Sequence, residues 1–203
     1  MNRRRLLTQY ALSSIAFALP ASASTENQPA PDRTPRAGYF PNFALRTHEN
    51  RVVRFYDDLI KGKIVIINMM YAQCEGICPA MTSNLVHVQA VLADRIGRDI
   101  FMYSLTLQPE IDTPSALRDY AQMHGAGPGW LFLTGRRREM EVLRRKLGFF
   151  DPDPAVDQDR SQHLGFVRFG NEALDRWAAC PALSNPEQIV RSILWAVGPP
   201  TSR

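Results

Sequence analysis

Short, almost wholly apolar runs alternate along this chain with longer stretches in which apolar residues recur every three or four positions. Val52–Phe55 and Ile64–Met70 predict strands, the second apolar at nearly every position, as expected of a strand covered on both faces. Met81, Leu85, Val88, Leu92 and Ile96 mark one face of a helix from Pro79 to about Arg95, with proline at an early helical position. Ile100–Leu107 is the next strand. Thr113-Pro114 opens a helix that stops near His124-Gly125, where the glycine suits a C-terminal turn. Trp130–Leu133 reads as a strand and Arg136–Leu147 as a helix closed by Gly148. Residues 150–162 form a polar loop with two Asp-Pro steps. His163–Phe169 and Ala173–Trp177 then predict a strand pair turned at Gly170-Asn171, and Pro186–Val197 a last helix. That order predicts an α/β layer fold, a central mixed β-sheet flanked by helices. No internal repeat is evident.

The first residues break this pattern. Arg3-Arg4-Arg5 precede a small and apolar run from Leu6 to Leu19, then Pro20 and the A-x-A site Ala21-Ser22-Ala23. Residues 1–23 therefore predict an export signal, and Arg3-Arg4-Arg5-Leu6-Leu7 resembles the twin-arginine type that exports folded proteins. The run is short for a membrane span, so cleavage is the first expectation and a retained anchor, which would keep the chain near a membrane, the second. Residues 24–42, with Pro29, Pro31, Pro35 and Pro41, predict a flexible tether, leaving 43–200 as the folded domain. Export places the protein in the periplasm, an oxidising compartment where nearby cysteines either pair or hold a metal.

Composition narrows the classes further. With 203 residues, 45% hydrophobic and 22% charged, the chain can bury one globular core, and a monomer is expected. No stretch approaches the roughly 20 apolar residues of a membrane-spanning helix, which excludes a polytopic membrane protein. The net charge is +4, but residues 1–23 carry three arginines and no acid, so the remainder has 4 − 3 = +1. Nucleic-acid binding loses its compositional support.

The most specific motif is Cys74-Glu75-Gly76-Ile77-Cys78-Pro79, after an apolar strand and opening a helix. Four positions of separation suit two sulfurs on one side of a first helical turn, close enough for a disulfide or for one metal ion. A helix N-terminus favours thiolate, so at least one sulfur is expected to be unusually acidic. The bland alternative is an inert disulfide or two buried thiols.

Together with this motif, Gly62–Asn68 through Tyr71, Gln108-Pro109-Glu110-Ile111-Asp112-Thr113-Pro114 and Trp130–Gly135 resemble the Sco (SenC) family of thioredoxin-like copper proteins, from about Phe40 to Val197. The resemblance implies a thioredoxin-like fold. It implies copper, as Cu(I) or Cu(II), held by Cys74, Cys78 and one distant histidine, for which His163 stands in the matching place. It also implies service to the copper-centre subunit of cytochrome c oxidase or a related copper protein. The chain departs from the family pattern at Glu75-Gly76, at Gln108, and at Gln162 and Leu164 beside the histidine. Without an adjacent acid, the imidazole of His163 needs a carbonyl or a more distant carboxylate on its other nitrogen, with Asp157 and Asp159 as candidates.

Two thiolates and an imidazole form a soft three-ligand set suited to copper, whereas zinc favours a fourth ligand. Cys180, in the Trp177–Pro181 stretch taken to follow the last strand, reads as a small buried hydrophobe rather than that ligand. His87 is expected to face away from the motif, His124 to sit as a partial cation at a helix C-terminus, and His48 to belong to a polar turn. Met69 and Met70 read as strand core rather than thioether ligands. Arg136–Arg138 with Arg144–Lys146 read as a solvated helix face or a docking surface for an acidic partner. The function expected is copper delivery. The first rival is a thiol-disulfide oxidoreductase in which Cys74 attacks and Cys78 resolves, keeping a partner's metal-binding cysteines reduced. The second is a copper-free peroxidase or redox-sensing module.

Overall fold

The computed structural model describes residue 36 and residues 38–158 and 165–198, all within the compact unit Asp32–Arg203. In chain order the described elements are β1 (Ala44–Thr47), β2 (Val52–Arg54), a π-helical turn (Phe55–Ile60), β3 (Ile64–Met70) and α1 (Cys78–Val91). They continue with β4 (Ile100–Thr106), α2 (Pro114–Met123), β5 (Trp130–Thr134), α3 (Arg137–Lys146) and a short α4 (Pro154–Gln158). β6 (Phe166–Asn171), a 3-10 turn (Glu172–Leu174), β7 (Arg176–Pro181) and α5 (Pro186–Val197) complete the domain.

Among the described residues the strands form one seven-stranded sheet in the order β2-β1-β5-β4-β3-β6-β7. β3 pairs parallel with β4 and β4 with β5, whereas β1, β6 and β7 join antiparallel. This is the thioredoxin-like mixed sheet expected. Within it β3, between β4 and β6, is buried at all seven positions, because helices cover both faces. Ile64, Ile66 and Met70 point into a core shared with Met81, Leu85 and Val88 of α1, Leu117 and Tyr120 of α2, and Ile189 and Ile193 of α5. Val65, Ile67 and Met69 point the other way, onto Phe55 and Leu59 of the π-helical turn and Met140 and Leu143 of α3. Met69 and Met70 are thus core on opposite faces.

The helix ends follow their sequence signals. Thr113 Oγ1 accepts from the Ala116 N–H at 3.2 Å and Pro114 occupies the first turn of α2, while the Asn185 side chain accepts from the Glu187 N–H at 2.9 Å to start α5.

Three sequence expectations change. The β6–β7 turn falls on residues 172–175 rather than at Gly170-Asn171, both of which remain in the ladder, paired with Trp177 and Arg176. Gly170 serves close approach instead of turning, since a Cβ there would lie 2.5 Å from the Trp177 ring. Residues 154–158 of the expected polar loop are helical. Packing also begins before the end of the expected tether: Phe40 is buried, with its ring 6.2 Å from Phe55 and 5.3 Å from Trp177. Asn42 Oδ1 accepts from the Tyr56 and Asp57 N–H groups. Among the described residues, no helix is long and apolar enough to cross a membrane.

Candidate metal centre

Cys78 is the first residue of α1, but Cys74 lies outside the helix, in the connection from β3. The expected placement of both sulfurs on one helical turn is therefore corrected. A turn closed by the Cys74 N–H on the Tyr71 carbonyl at 3.2 Å brings the first cysteine back toward the helix start. All three described cysteines are free thiols, with Cys78 fully enclosed and Cys74 7% exposed. Glu75 and Gly76, between them, are exposed.

The two thiols are unequal. Burial pushes Cys74 up, but hydrogen bonds from the Cys78 thiol and N–H, the Tyr71 side chain and the Gly76 N–H outweigh it, so Cys74 ends below its ordinary value. Burial raises Cys78, and its hydrogen bond to Cys74 together with the charge there raises it further. The first proton thus leaves Cys74, the more accessible sulfur, because of its hydrogen bonds and not the helix N-terminus, where Cys78 stands.

The connection after β4 braces this loop. Asp112 is buried, and its carboxylate accepts the Ala72 N–H at 3.2 and 3.3 Å and the Thr106 hydroxyl. Burial pushes its carboxyl above the ordinary range. Nearby, the Tyr120 hydroxyl meets Thr82 Oγ1 at 2.8 Å, and burial pushes the phenol up to about 12. Sequence reasoning gave Asp112 no role of its own. Its signals were its place in the Gln108–Pro114 motif and before the helix cap Thr113-Pro114, both too local to reveal a contact with Ala72, forty residues away.

His163 lies outside the described residues, as do Asp159, Gln162 and Leu164. Gly165, two residues after His163, is described, and its backbone abuts the cysteine motif: a Cβ there would lie 2.8 Å from Ile77 Cδ1 and 3.8 Å from Met81 Sδ. Among the described residues no third His, Cys, Asp or Glu joins a metal-sized group.

The remaining candidates resolve individually. Cys180 sits inside β7, not after it, opposite Val167 on the α1 side of the sheet; burial raises its thiol, consistent with a small hydrophobe. His87 is exposed on α1. His124 caps α2 with its ring tilted against Tyr120, centroids 4.3 Å apart, but burial lowers its pKa, favouring the neutral ring over the expected cation. His48 Nδ1 accepts the Phe132 N–H at 3.2 Å, so it fastens a turn to β5. Asp157 is not open to an imidazole: Arg144 occupies both its oxygens, and Arg145 shares one of them. At the start of α3 the arginines are largely exposed, Arg136 pairing with Glu139 and Arg137 with Glu110.

The SCO1/SenC family model matches residues 31–197, and the chain belongs to that family. It is 27% identical over 114 residues to a SCO2-like protein of Rickettsia conorii, covering 53% of this chain and 54% of that one. The chain thus spans about half the length of that curated relative. Solved structures share the fold. BsSco, described as a member of the Sco family of cytochrome c oxidase assembly proteins with a disulfide switch, superposes with a TM-score of 0.62 at 22% identity, over 77% of this chain and 92% of BsSco. Yeast Sco1 with copper bound superposes with a TM-score of 0.59 at 20% identity, over 75% of this chain and 88% of the yeast one.

Proposed function

We propose that this chain binds one copper ion through Cys74, Cys78 and His163 and delivers it to the copper-centre subunit of cytochrome c oxidase or another copper protein. The observation that carries the reading is the hydrogen-bonded thiol pair at the start of α1, with Gly165 packed against the residue between the cysteines. Gly165 follows His163 by two residues, a span of at most about 7 Å, which supports the histidine as the third ligand. Two sulfurs and an imidazole suit copper, and family membership points the same way. The ion is cargo here. Cys74 supplies the first thiolate, Cys78 yields its proton on ligation, and the enclosed second sulfur shields the ion from water. Residues 1–23 serve as an export signal, which puts the domain in the periplasm. The test is titration of the reduced protein with Cu(I) under a competing chelator. One tightly bound ion is expected, and binding that survives Cys74→Ala together with Cys78→Ala refutes the assignment.

The inequality of the thiols favours one second reading, a thiol-disulfide oxidoreductase in which accessible Cys74 attacks a partner disulfide and Cys78 resolves the mixed disulfide. A Cys78→Ser variant then traps that mixed disulfide with its partner, whereas a copper carrier acts stoichiometrically and only when loaded.

A further inference from the structure

Where β1 parts from β5 the sheet opens a cleft of about 420 Å³. The β1–β5 ladder ends at Arg46, opposite Thr134, because the chain turns away after β5 into α3. Gly135 lets that turn lie close on the floor, since a Cβ there would stand 2.7 Å from Leu45 Cδ2 and 3.2 Å from Met140 Sδ. The β1–β2 hairpin lines the cleft with Ala44 and with Val52, which is 60% exposed, and the connection after β4 lines it with Pro109 and Pro114. In that same connection Asp112 holds the Ala72 N–H, two residues before Cys74. The cleft and the cysteine loop thus share one wall. Its charge is one-sided. Arg46 Nη1 donates to the neutral Asn50 side chain at 3.1 Å, and among the described residues no carboxylate pairs with it. Arg136, on the same cleft, is 87% exposed and meets Glu139 only at 3.4 Å. The one acid in the lining, Asp112, is enclosed, with its carboxylate committed to Ala72 and Thr106. Arg144 and Arg145 of α3, by contrast, are taken up by Glu141 and Asp157.

We propose that this cleft docks an extended acidic segment of a partner protein, with carboxylates on Arg46 and Arg136 and an apolar side chain between them against Val52 and the two prolines. Cations left without carboxylates on a concave, partly apolar wall focus a positive potential into it, and carboxylates complement that potential. Nucleic acid fits less well. None of the lining residues is aromatic, so bases have nothing to stack on, and the chain beyond residues 1–23 carries only +1. The identity of the partner rests on the copper-carrier reading, on which it is the protein that receives the ion, and the shared wall puts it beside the cysteine loop. The docking itself needs no metal.

The probe is a fluorescein-labelled peptide of alternating glutamate and valine with blocked ends, read by anisotropy against the metal-free protein, beside its glutamine counterpart. The acidic peptide is expected to bind, more weakly as salt rises, and the glutamine peptide at least about tenfold less well. Arg46→Glu together with Arg136→Glu is expected to weaken binding of the acidic peptide at least about tenfold. Arg176→Glu together with Arg191→Glu changes the net charge equally, on β7 at the opposite edge of the sheet and on α5, and is expected to leave binding within about twofold of wild type. Equal losses in the two double variants, or no loss in the first, overturn the proposal. So does a single-stranded oligonucleotide or an anionic phospholipid vesicle that binds at the cleft more tightly than the peptide. Cys74→Ala together with Cys78→Ala separates this proposal from the copper reading. Peptide binding that persists there with Cu(I) binding unchanged upholds the docking and defeats the copper site, whereas Cu(I) binding lost there with no peptide binding even in wild type defeats the docking alone.

Discussion

β3 is closed at each end by a buried carboxylate, and the two ends serve different purposes. Upstream, Glu172 is wholly enclosed, accepting the Tyr56 hydroxyl at 2.9 Å and the Gly62 N–H at 2.8 Å, while its own N–H donates to the Lys63 carbonyl. Downstream, Asp112 accepts the Ala72 N–H and the Thr106 hydroxyl. Each carboxylate ties a strand end to a distant connection through a backbone N–H. Around Glu172 lie an aromatic hydroxyl and backbone, which makes a closure of the fold. Asp112 stands at the C-terminal ends of parallel β3 and β4, where connections diverge and the cysteine loop begins. The same device becomes part of a site because of where the parallel strands end.

The largest expected effect sharpens this contrast. Glu172→Ala leaves the buried Tyr56 hydroxyl without that partner and opens a void, and is expected to cost about 3 kcal/mol. Copper affinity should stay at the wild-type value, as read by denaturant unfolding beside chelator competition. A loss of affinity together with stability in Glu172→Ala would erase the distinction between the ends.

At the other end, Asp112→Asn keeps an acceptor for the Ala72 N–H and removes the titration. Burial holds the Asp112 carboxyl above its unfolded value, so its contribution to stability is full below the ordinary carboxylate pKa and is lost as pH rises through the folded value. The stability of wild type relative to Asp112→Asn should therefore fall as pH rises above the ordinary carboxylate pKa, with a change in Cys74 reactivity alongside. Parallel pH curves for the two proteins break the account of this end.

The smallest effect lies at neither end. Burial lowers the pKa of His48, whose neutral Nδ1 accepts from Phe132, so its contribution is present above the ordinary imidazole value and lost as pH falls through the folded one. His48→Asn preserves an acceptor and cannot titrate. The melting temperature of the variant should drop less than that of wild type as pH falls below the ordinary imidazole value. An equal drop removes His48 from the explanation.

Much of the sheet was legible because its signals are local. Ile64–Met70 is apolar at nearly every position, Thr113-Pro114 is a cap, and Cys74 and Cys78 stand next to a strand and a helix. β1 went unread, being four residues whose pairing with β5 is set more than eighty positions away. The turn at 172–175 was misplaced because Glu172 looks like any surface acid until Tyr56 and Gly62 are brought to it. Asp157 was read as a partner for the histidine because it is near in sequence, whereas Arg144 on α3 claims it in space. Pairwise contacts between distant polar residues leave no periodicity behind, and these are the contacts that brace the site.

The central claim, that one pair of sulfurs holds the copper, is tested most directly by exclusion. A Cys74–Cys78 disulfide leaves neither sulfur as thiolate, so the dithiol and disulfide forms of the same protein should differ completely in tight Cu(I) binding. Prepare both forms, confirm by thiol titration and peptide mapping which cysteines have paired, and measure Cu(I) affinity of each under the same chelator. The reduced form is expected to bind one ion tightly and the disulfide form none. Equal affinities, or a disulfide that engages Cys180 in place of Cys74 or Cys78, would contradict the site.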